Sequence, residues 1–546
     1  MIIDARSLPD NKTIETEVCI VGAGIAGITI AREFIDKDFK VCLLESGGLE
    51  PDRATQSLYW GENIGLPYYE LDTARACCFG GSSHRWNIPL GDNTLGVRLR
   101  PLDEIDFEER DWIPYSGWPF DKSHLVAFYK RAQSVCKVGP FTYEVEDWEN
   151  PDKTPRLPFI TDRVKTAIFQ FGPRDPFFKD YREEIEKAEN ISTFIFANAV
   201  EIETNDTAQT ATRIHFSTIN GRRFYVSAKL FILALGGIET PRLLLLSNKK
   251  IRFGLGNQND LVGRFFMEHL HFWSGFYLPS RPDTYNHTTL YRIHKVNSIP
   301  IMGKLVLSDD VLRKERLANY CVTILPRVWV AKCDFNSAQS EGVKSLRAIR
   351  SAISSGHMPN NAVRHFRNML DDIDSIAIAA YRKMIVGCTS FMNKGKRFVV
   401  YQLDNMTEQV PNPDSRVTLS EECDVLGRRR PKLDWQLSPL DIRSVMRAQE
   451  IMDEEFRLAG LGRLRIDLKD ENELPVIVGG WHHMGTTRMH TDPRKGVVDE
   501  NCRVHNMSNL YIAGPSVFPT GGYANPTLTV VALAIRLADH IMAKIE

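Results

Sequence analysis

The stretch EVCIVGAGIAGITIAREFIDKDFKVCLLES, residues 17–46, decides the fold. Its first six residues are a short apolar run that closes on a glycine. IAGITIAREFIDK then carries apolar residues at helical spacing, and KVCLLES is a second apolar run. That order predicts strand, turn, helix, strand: one βαβ unit. At the turn lie Gly22, Gly24 and Gly27, in the pattern G-x-G-x-x-G. Glycines there allow a tight turn and a close approach of backbone to a pyrophosphate. The helix N-terminus adds unpaired N–H groups and the positive end of its dipole. Glu45 stands at the end of the second strand, where a carboxylate accepts hydrogen bonds from a ribose 2′-hydroxyl and disfavours a 2′-phosphate. The three features together predict a dinucleotide site. The unit alone leaves FAD and NAD both open.

At about 150 residues per domain, 546 residues suggest two to four lobes. Hydrophobic content of 43% and charged content of 25% are those of a globular protein with ample core. A net charge of −1 gives no long-range pull toward nucleic acid or an anionic membrane, and neither is expected as a partner. GRRRPK, residues 427–432, is too short for a basic tail and reads as a solvated turn. The ten cysteines are scattered with no CxxC, as in a protein with reduced thiols. The N-terminus has no basic segment followed by an apolar one, and no run of 18 apolar residues occurs. A cytoplasmic location is the expectation.

Further along, residues 268–278, 301–308, 320–330, 398–409 and 416–420 read as strands, and 340–390 as mostly helical. Strands followed by separate helices predict an α+β lobe. The last seventy residues return to α/β character. NLYIAG reads as a strand ending in glycine, and NPTLTVVALAIRLADHIMAKI as a helix started by Asn-Pro. The first domain therefore closes on itself only when the C-terminus arrives. The expected division is 1–267 with 475–546 for the nucleotide domain, some segments of 60–195 covering the site, and 268–474 for the substrate domain.

Two more glycine clusters stand out: CCFGGSSHRWN (77–87) and ILALGGIETPRLLLLSN (232–248). Each reads either as an ordinary turn or as backbone packed on a ligand. His482 and His483 lie at the end of LPVIVGGWHHMG, which reads as an apolar strand. On an extended backbone adjacent side chains point to opposite faces, so one of the pair faces a site more readily than the other. Around this pair no HExxH or HxH lies on one helix and no nearby cysteines offer tetrahedral ligands, so no metal is expected. No GxSxG appears, which removes the hydrolase reading. His269, His271, His357, His365 and His540 carry no motif and read as ordinary histidines.

Five stretches in order resemble the glucose–methanol–choline (GMC) oxidoreductases: IVGAGIAG with Glu45, FGGSSHRWN, LALGGIETPRLLLLSN, EQVPNPDSRVTLS (408–420), and the block from HHMGTTRMH to the C-terminus. GTTRM and GGYANPTLT look most like the pyranose oxidase and bacterial sugar dehydrogenase branch. The resemblance implies an α/β FAD-binding Rossmann-like domain plus an α+β substrate domain with a large antiparallel sheet, as in p-hydroxybenzoate hydroxylase. It implies FAD rather than NAD, an alcohol or sugar substrate, and oxygen or a quinone-like electron acceptor.

Carried over position by position, the resemblance makes His482, three residues before Gly485, the base, and Asn525 its partner. A neutral imidazole takes a hydroxyl proton near pH 7, and an amide orients the hydroxyl without titrating. Gly81, Ser82, Gly514, Pro515 and Thr527 are then expected at the flavin, and Ala199 and Val200 at the adenine. Some pyranose oxidases attach flavin through a histidine directly before the tryptophan of the second glycine motif. Here Arg85 precedes Trp86 and His84 stands one place early, so non-covalent FAD is expected.

Overall fold

The βαβ unit forms as Lys12–Val21, Ile25–Glu33 and Val41–Leu44. The computed structural model describes residues 1–91, 93–281, 284, 287–328, 345, 348, 349, 365, 399–468 and 480–545. The expected helical stretch 340–390 lies almost wholly outside these residues, as does the 474–479 part of the expected strand before the histidine pair.

Lys12–Val21 is flanked by Val41–Leu44 on one side and Arg223–Leu233 on the other, all parallel. Ile191–Ile195 and Ile2–Asp4 extend the sheet outward in parallel. Beyond Arg223–Leu233 the order continues antiparallel through Ala211–Ser217 to Asn198–Thr204. Leu510–Ile512 also pairs in parallel with Arg223–Leu233, so the C-terminal segment returns to the first sheet. The Thr527–Ile545 helix packs against Ile25–Glu33 and Lys122–Val135. Val18, Ile20, Ile28 and Ile30 are fully buried, and each such side chain contributes about 1.5–3 kcal/mol when removed from water.

A second, antiparallel sheet of nine strands runs in the order Gly462–Ile466, Leu270–Pro279, Val399–Thr407, Tyr320–Val328, Ile299–Leu307, Val164–Pro173, Thr94–Leu99, Ile88–Gly91, with His294–Val296 beside Ile299–Leu307. The strands read between 268 and 420 are therefore present, with Arg416–Cys423 placed in a separate three-stranded sheet. Three strands of the antiparallel sheet come from residues 88–173, because that segment crosses over the site and pairs with Ile299–Leu307.

GRRRPK is not a solvated turn. Arg428 donates from Nη1 to the Ala199 carbonyl at 2.8 Å and pairs with the buried Asp424 at 2.8 Å. Asp424 also holds Arg242 at 2.9 Å, and Arg242 holds Glu239 at 3.0 Å, so the basic run is drawn inward by buried acids.

Candidate active site

The three glycines of the first turn are required for three different reasons. Gly22 has φ +106°, and a Cβ there would stand 2.6 Å from the Ala234 carbonyl oxygen. A Cβ on Gly27 would stand 1.9 Å from the Gly22 oxygen, so helix and turn pack with no space between them. A Cβ on Gly24 would meet nothing within 4 Å, because this residue faces a cavity. Gly24 caps the Ile25–Glu33 helix without a side-chain bond, which leaves first-turn N–H groups available to an anion. The Glu45 carboxylate accepts from the Ala23 and Gly47 N–H groups at 3.0 and 2.9 Å. The second glycine motif docks directly on the first: the Gly80 N–H donates to the Ala23 carbonyl at 2.8 Å.

The cavity holds about 430 Å³, within the usual range for cofactor and ligand sites. Gly22, Gly24, Glu45, Gly81, Ser82, Gly514, Pro515 and Thr527 line it, together with His482 and Asn525. The sequence thus names residues at both ends of one cavity. Gly27 does not line it and acts through packing. Ala199 lines a smaller neighbouring cavity with Glu239, Arg242 and Arg428, and Val200 lines neither.

At the far end, two chain segments are clamped together. Met267 and Met484 exchange backbone hydrogen bonds at 3.0 Å each, which sets Glu268–His269 beside His482–His483. The N–H groups of Gly485 and Thr487 donate to the Pro515 and Ser516 carbonyls at 3.2 and 2.8 Å. Gly485 has φ +84°, and a Cβ there would stand 2.2 Å from the Phe265 oxygen, so this position admits glycine alone. Trp481 takes φ +61°, so the extended backbone is interrupted directly before the histidine pair. The two side chains still diverge. His482 meets His269 and Asn525, while Nε2 of His483 meets the Tyr68 hydroxyl at 2.9 Å.

The hydrogen bonds fix the histidine tautomers. Nε2 of His269 lies 2.9 Å from the Gly522 carbonyl oxygen, which only accepts, so this nitrogen carries the proton. Nδ1 of His269 is then a lone pair. It lies 2.7 Å from Nδ1 of His482, which must donate. Nε2 of His482 is left with its lone pair, 3.2 Å from the Asn525 amide nitrogen. A flipped amide would set an acceptor against an acceptor, so the network also decides the orientation of Asn525. The Oδ1 atom of Asn525 is buried with no partner.

Burial keeps this cluster neutral. It pushes His482 well below the usual imidazole value, and His269, Arg98, His271 and His483 push the same way. His269 is pushed down to about 4 and His483 to about 3, both chiefly by burial. Glu268 is pushed up to about 7 by burial, against hydrogen bonds that favour its anion. Its oxygens accept from the Tyr68 hydroxyl at 2.6 Å, the His482 N–H at 2.8 Å and the His269 N–H at 2.9 Å. Ligand-capable atoms of Glu268, His269 and His482 lie within 4.8 Å of one another, and each already serves a hydrogen bond.

Glu268, His269 and Tyr68 escape sequence reasoning. His269 and His271 read as ordinary histidines, yet His269 sets the tautomer of His482 and His271 lines the cavity. No spacing could have flagged a partner 213 positions away.

Residues 411–534 match the family model described as GMC oxidoreductase. Over this C-terminal segment the chain is similar to the GMC oxidoreductases, and its relatives are enzymes of that kind. It is 28% identical to the fructose dehydrogenase large subunit of Gluconobacter japonicus, over 97% of this chain and 98% of that protein. It is 26% identical to 2-methyl-1,2-propanediol dehydrogenase of Mycolicibacterium austroafricanum, over 60% of this chain and 50% of that one. Formate oxidase from Aspergillus oryzae shares the fold, with a TM-score of 0.54 at 16% identity over 98% of this chain and 99% of that one. Among the described residues no helix is long and apolar enough to cross a membrane.

Proposed function

We propose that this chain is a GMC oxidoreductase that binds FAD non-covalently and oxidises a CH–OH group of a sugar or sugar derivative to a carbonyl, with His482 as the base. One observation carries the reading: a single cavity joins the glycine turn and Glu45 to His482 and Asn525. FAD fits the residues present. Cβ atoms built on Gly24, Gly236 and Gly514 meet nothing within 4 Å, so three backbone segments lie open to a flat ligand. The buried, unpaired Asn525 Oδ1 and Trp481 Nε1 offer it an acceptor and a donor. Gly22, Gly24, Glu45, Gly81, Ser82, Gly514, Pro515 and Thr527 would hold it, with Ala199 and Val200 at the adenine. For this nucleotide domain beside a sheet-based substrate domain we propose the arrangement of p-hydroxybenzoate hydroxylase.

FAD, when bound, supplies the hydride acceptor at its N5 atom. The chain's own residues prepare the alcohol. Nε2 of His482 takes the hydroxyl proton, and the Asn525 amide donates to the hydroxyl oxygen as negative charge builds there. Charge on that oxygen is what makes the carbon release hydride readily. His269 holds the His482 ring and keeps its proton on Nδ1. His84 is turned away from the cavity. Its Nε2 bonds the Phe79 carbonyl at 2.9 Å and its ring stacks on Phe178 at 4.0 Å, which supports non-covalent attachment.

Anaerobic mixing with a panel of sugars, glycosides and simple alcohols, followed at the visible flavin band, tests the reading. Bleaching by a sugar is the expected result, and admitting air or a quinone then identifies the acceptor. Bleaching by non-sugar alcohols alone would replace this reading with a second one, oxidation of a sterol, diol or natural-product alcohol. The likeness to the propanediol dehydrogenase favours that alternative.

A further inference from the structure

The cavity-facing side of the antiparallel sheet carries more positive charge than its neighbours neutralise. Side chains alternate between faces along a strand, so the pairing register assigns each residue to one face. Arg98 lies opposite Phe171, and Lys304 lies opposite Ala167 on that same strand. Val306 lies opposite Cys321, Thr323 opposite Asp404, and Met406 opposite His271. Arg98, Lys304, Arg327, Asp404 and His271 therefore share one face. Arg98, His271 and Met406 line the cavity, which shows which face it is.

Lys304 is 0% exposed, and its Nζ has no hydrogen-bond partner. It lies 4.9 Å from the centre of the Phe169 ring. Burial and the nearby Arg98 push it down to about 8, which leaves it largely cationic at pH 7. Arg98 has a buried Nε with no partner, and no ion pair to it occurs among the described residues. Arg327 donates from Nε to Gln402 at 3.0 Å, an uncharged acceptor. Asp404 is the one acid on these strands; it bonds His271 at 2.9 Å and is also attracted by Lys304 and Arg98, so one carboxylate faces all of these groups. An unpaired buried cation costs several kcal/mol. Lys304 is such a cation, with the half-buried Arg98 beside it at the cavity wall and the exposed Arg327 farther along the same face, and together they point to a ligand that brings the missing charge.

We propose that the substrate carries an oxyanion, a carboxylate or a phosphate, which Arg98 binds with Lys304 and Arg327 behind it. Its alcohol carbon then sits at His482 and Asn525. The inference rests on the alcohol-oxidising reading above and narrows its substrate to sugar acids or sugar phosphates.

The test uses the flavin-loaded protein under anaerobic conditions with matched ligands: glucose, gluconate, glucuronate and glucose 6-phosphate. At least one anionic member is expected to reduce the flavin with kcat/KM about 10²-fold above glucose, through KM, and to lose that advantage as salt is raised. The carboxylate and phosphate arms identify the oxyanion. Arg98→Met is expected to erase the preference for the anion, and Arg98→Lys to restore part of it. Calorimetric titration with inorganic phosphate gives a readout independent of turnover: binding in the parent protein, lost in Arg98→Met. If glucose matches every anionic ligand, the oxyanion seat is overturned while alcohol oxidation stands. If nothing bleaches the flavin, the alcohol reading fails, and the phosphate titration alone decides the seat. No phosphate binding, or equal binding in both proteins, then overturns it.

Discussion

Nδ1 of His269 lies 2.7 Å from Nδ1 of His482, and the Gly522 carbonyl behind His269 decides which of them holds the proton. The carbonyl belongs to a turn that is itself held firmly. Thr520 bonds the Asp106 carbonyl at 2.6 Å and takes the Trp118 indole N–H at 2.9 Å. A backbone atom thus fixes the proton on Nδ1 of His482 through one intervening ring.

Removing that ring should free His482 to take either tautomer. His269→Ala is expected to slow flavin reduction by about 10–10²-fold, the usual cost of losing the partner that orients a functional histidine. A merely structural role would not move the pH profile, but here the acid limb should rise toward the ordinary imidazole value. His269→Gln, which offers an amide oxygen to the Nδ1–H, should recover part of the rate. Wild-type kcat and an unmoved limb in His269→Ala would show the tautomer assignment to be wrong.

The buried histidines also set the pH dependence. With His482 pushed well below its ordinary value, kcat/KM should be flat between about pH 6.5 and 8 and fall only in more acid solution. For stability, the folded values of His269 and His483, about 4 and 3, lie below the unfolded value near 6.5. The unfolded chain takes up protons first, so their contribution is complete above pH 6.5 and is lost as pH falls toward 4 and 3. Glu268 works the other way. Its folded value is raised to about 7, so its contribution is present below about 4.5 and lost as pH rises through 7. Thermal melts from pH 8 to 4 should show a decline below 6.5, and a smaller one in a His269→Phe variant. An equal decline in the two proteins would contradict the assignment.

The glycine-turn end of the cavity was legible because it is local. Gly22, Gly24, Gly27 and Glu45 sit within one βαβ unit, and their spacing is their geometry. The middle strands were legible from apolar runs, and the closing helix from Asn-Pro. The proton network was not, because Tyr68, Glu268 and His482 meet only through tertiary packing. Alternation gave the divergence of His482 and His483, although a positive φ at Trp481 interrupts the extended backbone directly before them. GRRRPK misled in part for the same long-range reason: Asp424 holds Arg428 nearby but also Arg242, far off in sequence, and Arg428 reaches the distant Ala199 carbonyl.

His482→Ala should slow flavin reduction by roughly 10²–10⁴-fold, the range for a lost general base, with FAD still bound. His483→Ala removes a bond to Tyr68 rather than the base, so its loss should be much smaller. Stopped-flow reduction with flavin content measured in parallel separates the two. A large loss in His483→Ala with His482→Ala unaffected would move the base by one position.

Gly237→Ala tests how the helix after the third glycine motif supports the pair. A Cβ on Gly237 would stand 2.2 Å from the His483 carbonyl oxygen, which is backbone and cannot swing aside. The Gly237 carbonyl also accepts from Thr486 at 2.7 Å, so the helix start and the histidine turn are joined on both sides. Overpacking of this kind costs about 1–3 kcal/mol of stability. Pushing His483 outward also shifts His482 away from Asn525, a contact already long at 3.2 Å. The expected variant is folded, melts earlier, and loses rate in flavin reduction beyond what its unfolded fraction explains. A melt shifted downward with full specific activity would mean that the histidine turn relaxes independently of the helix behind it.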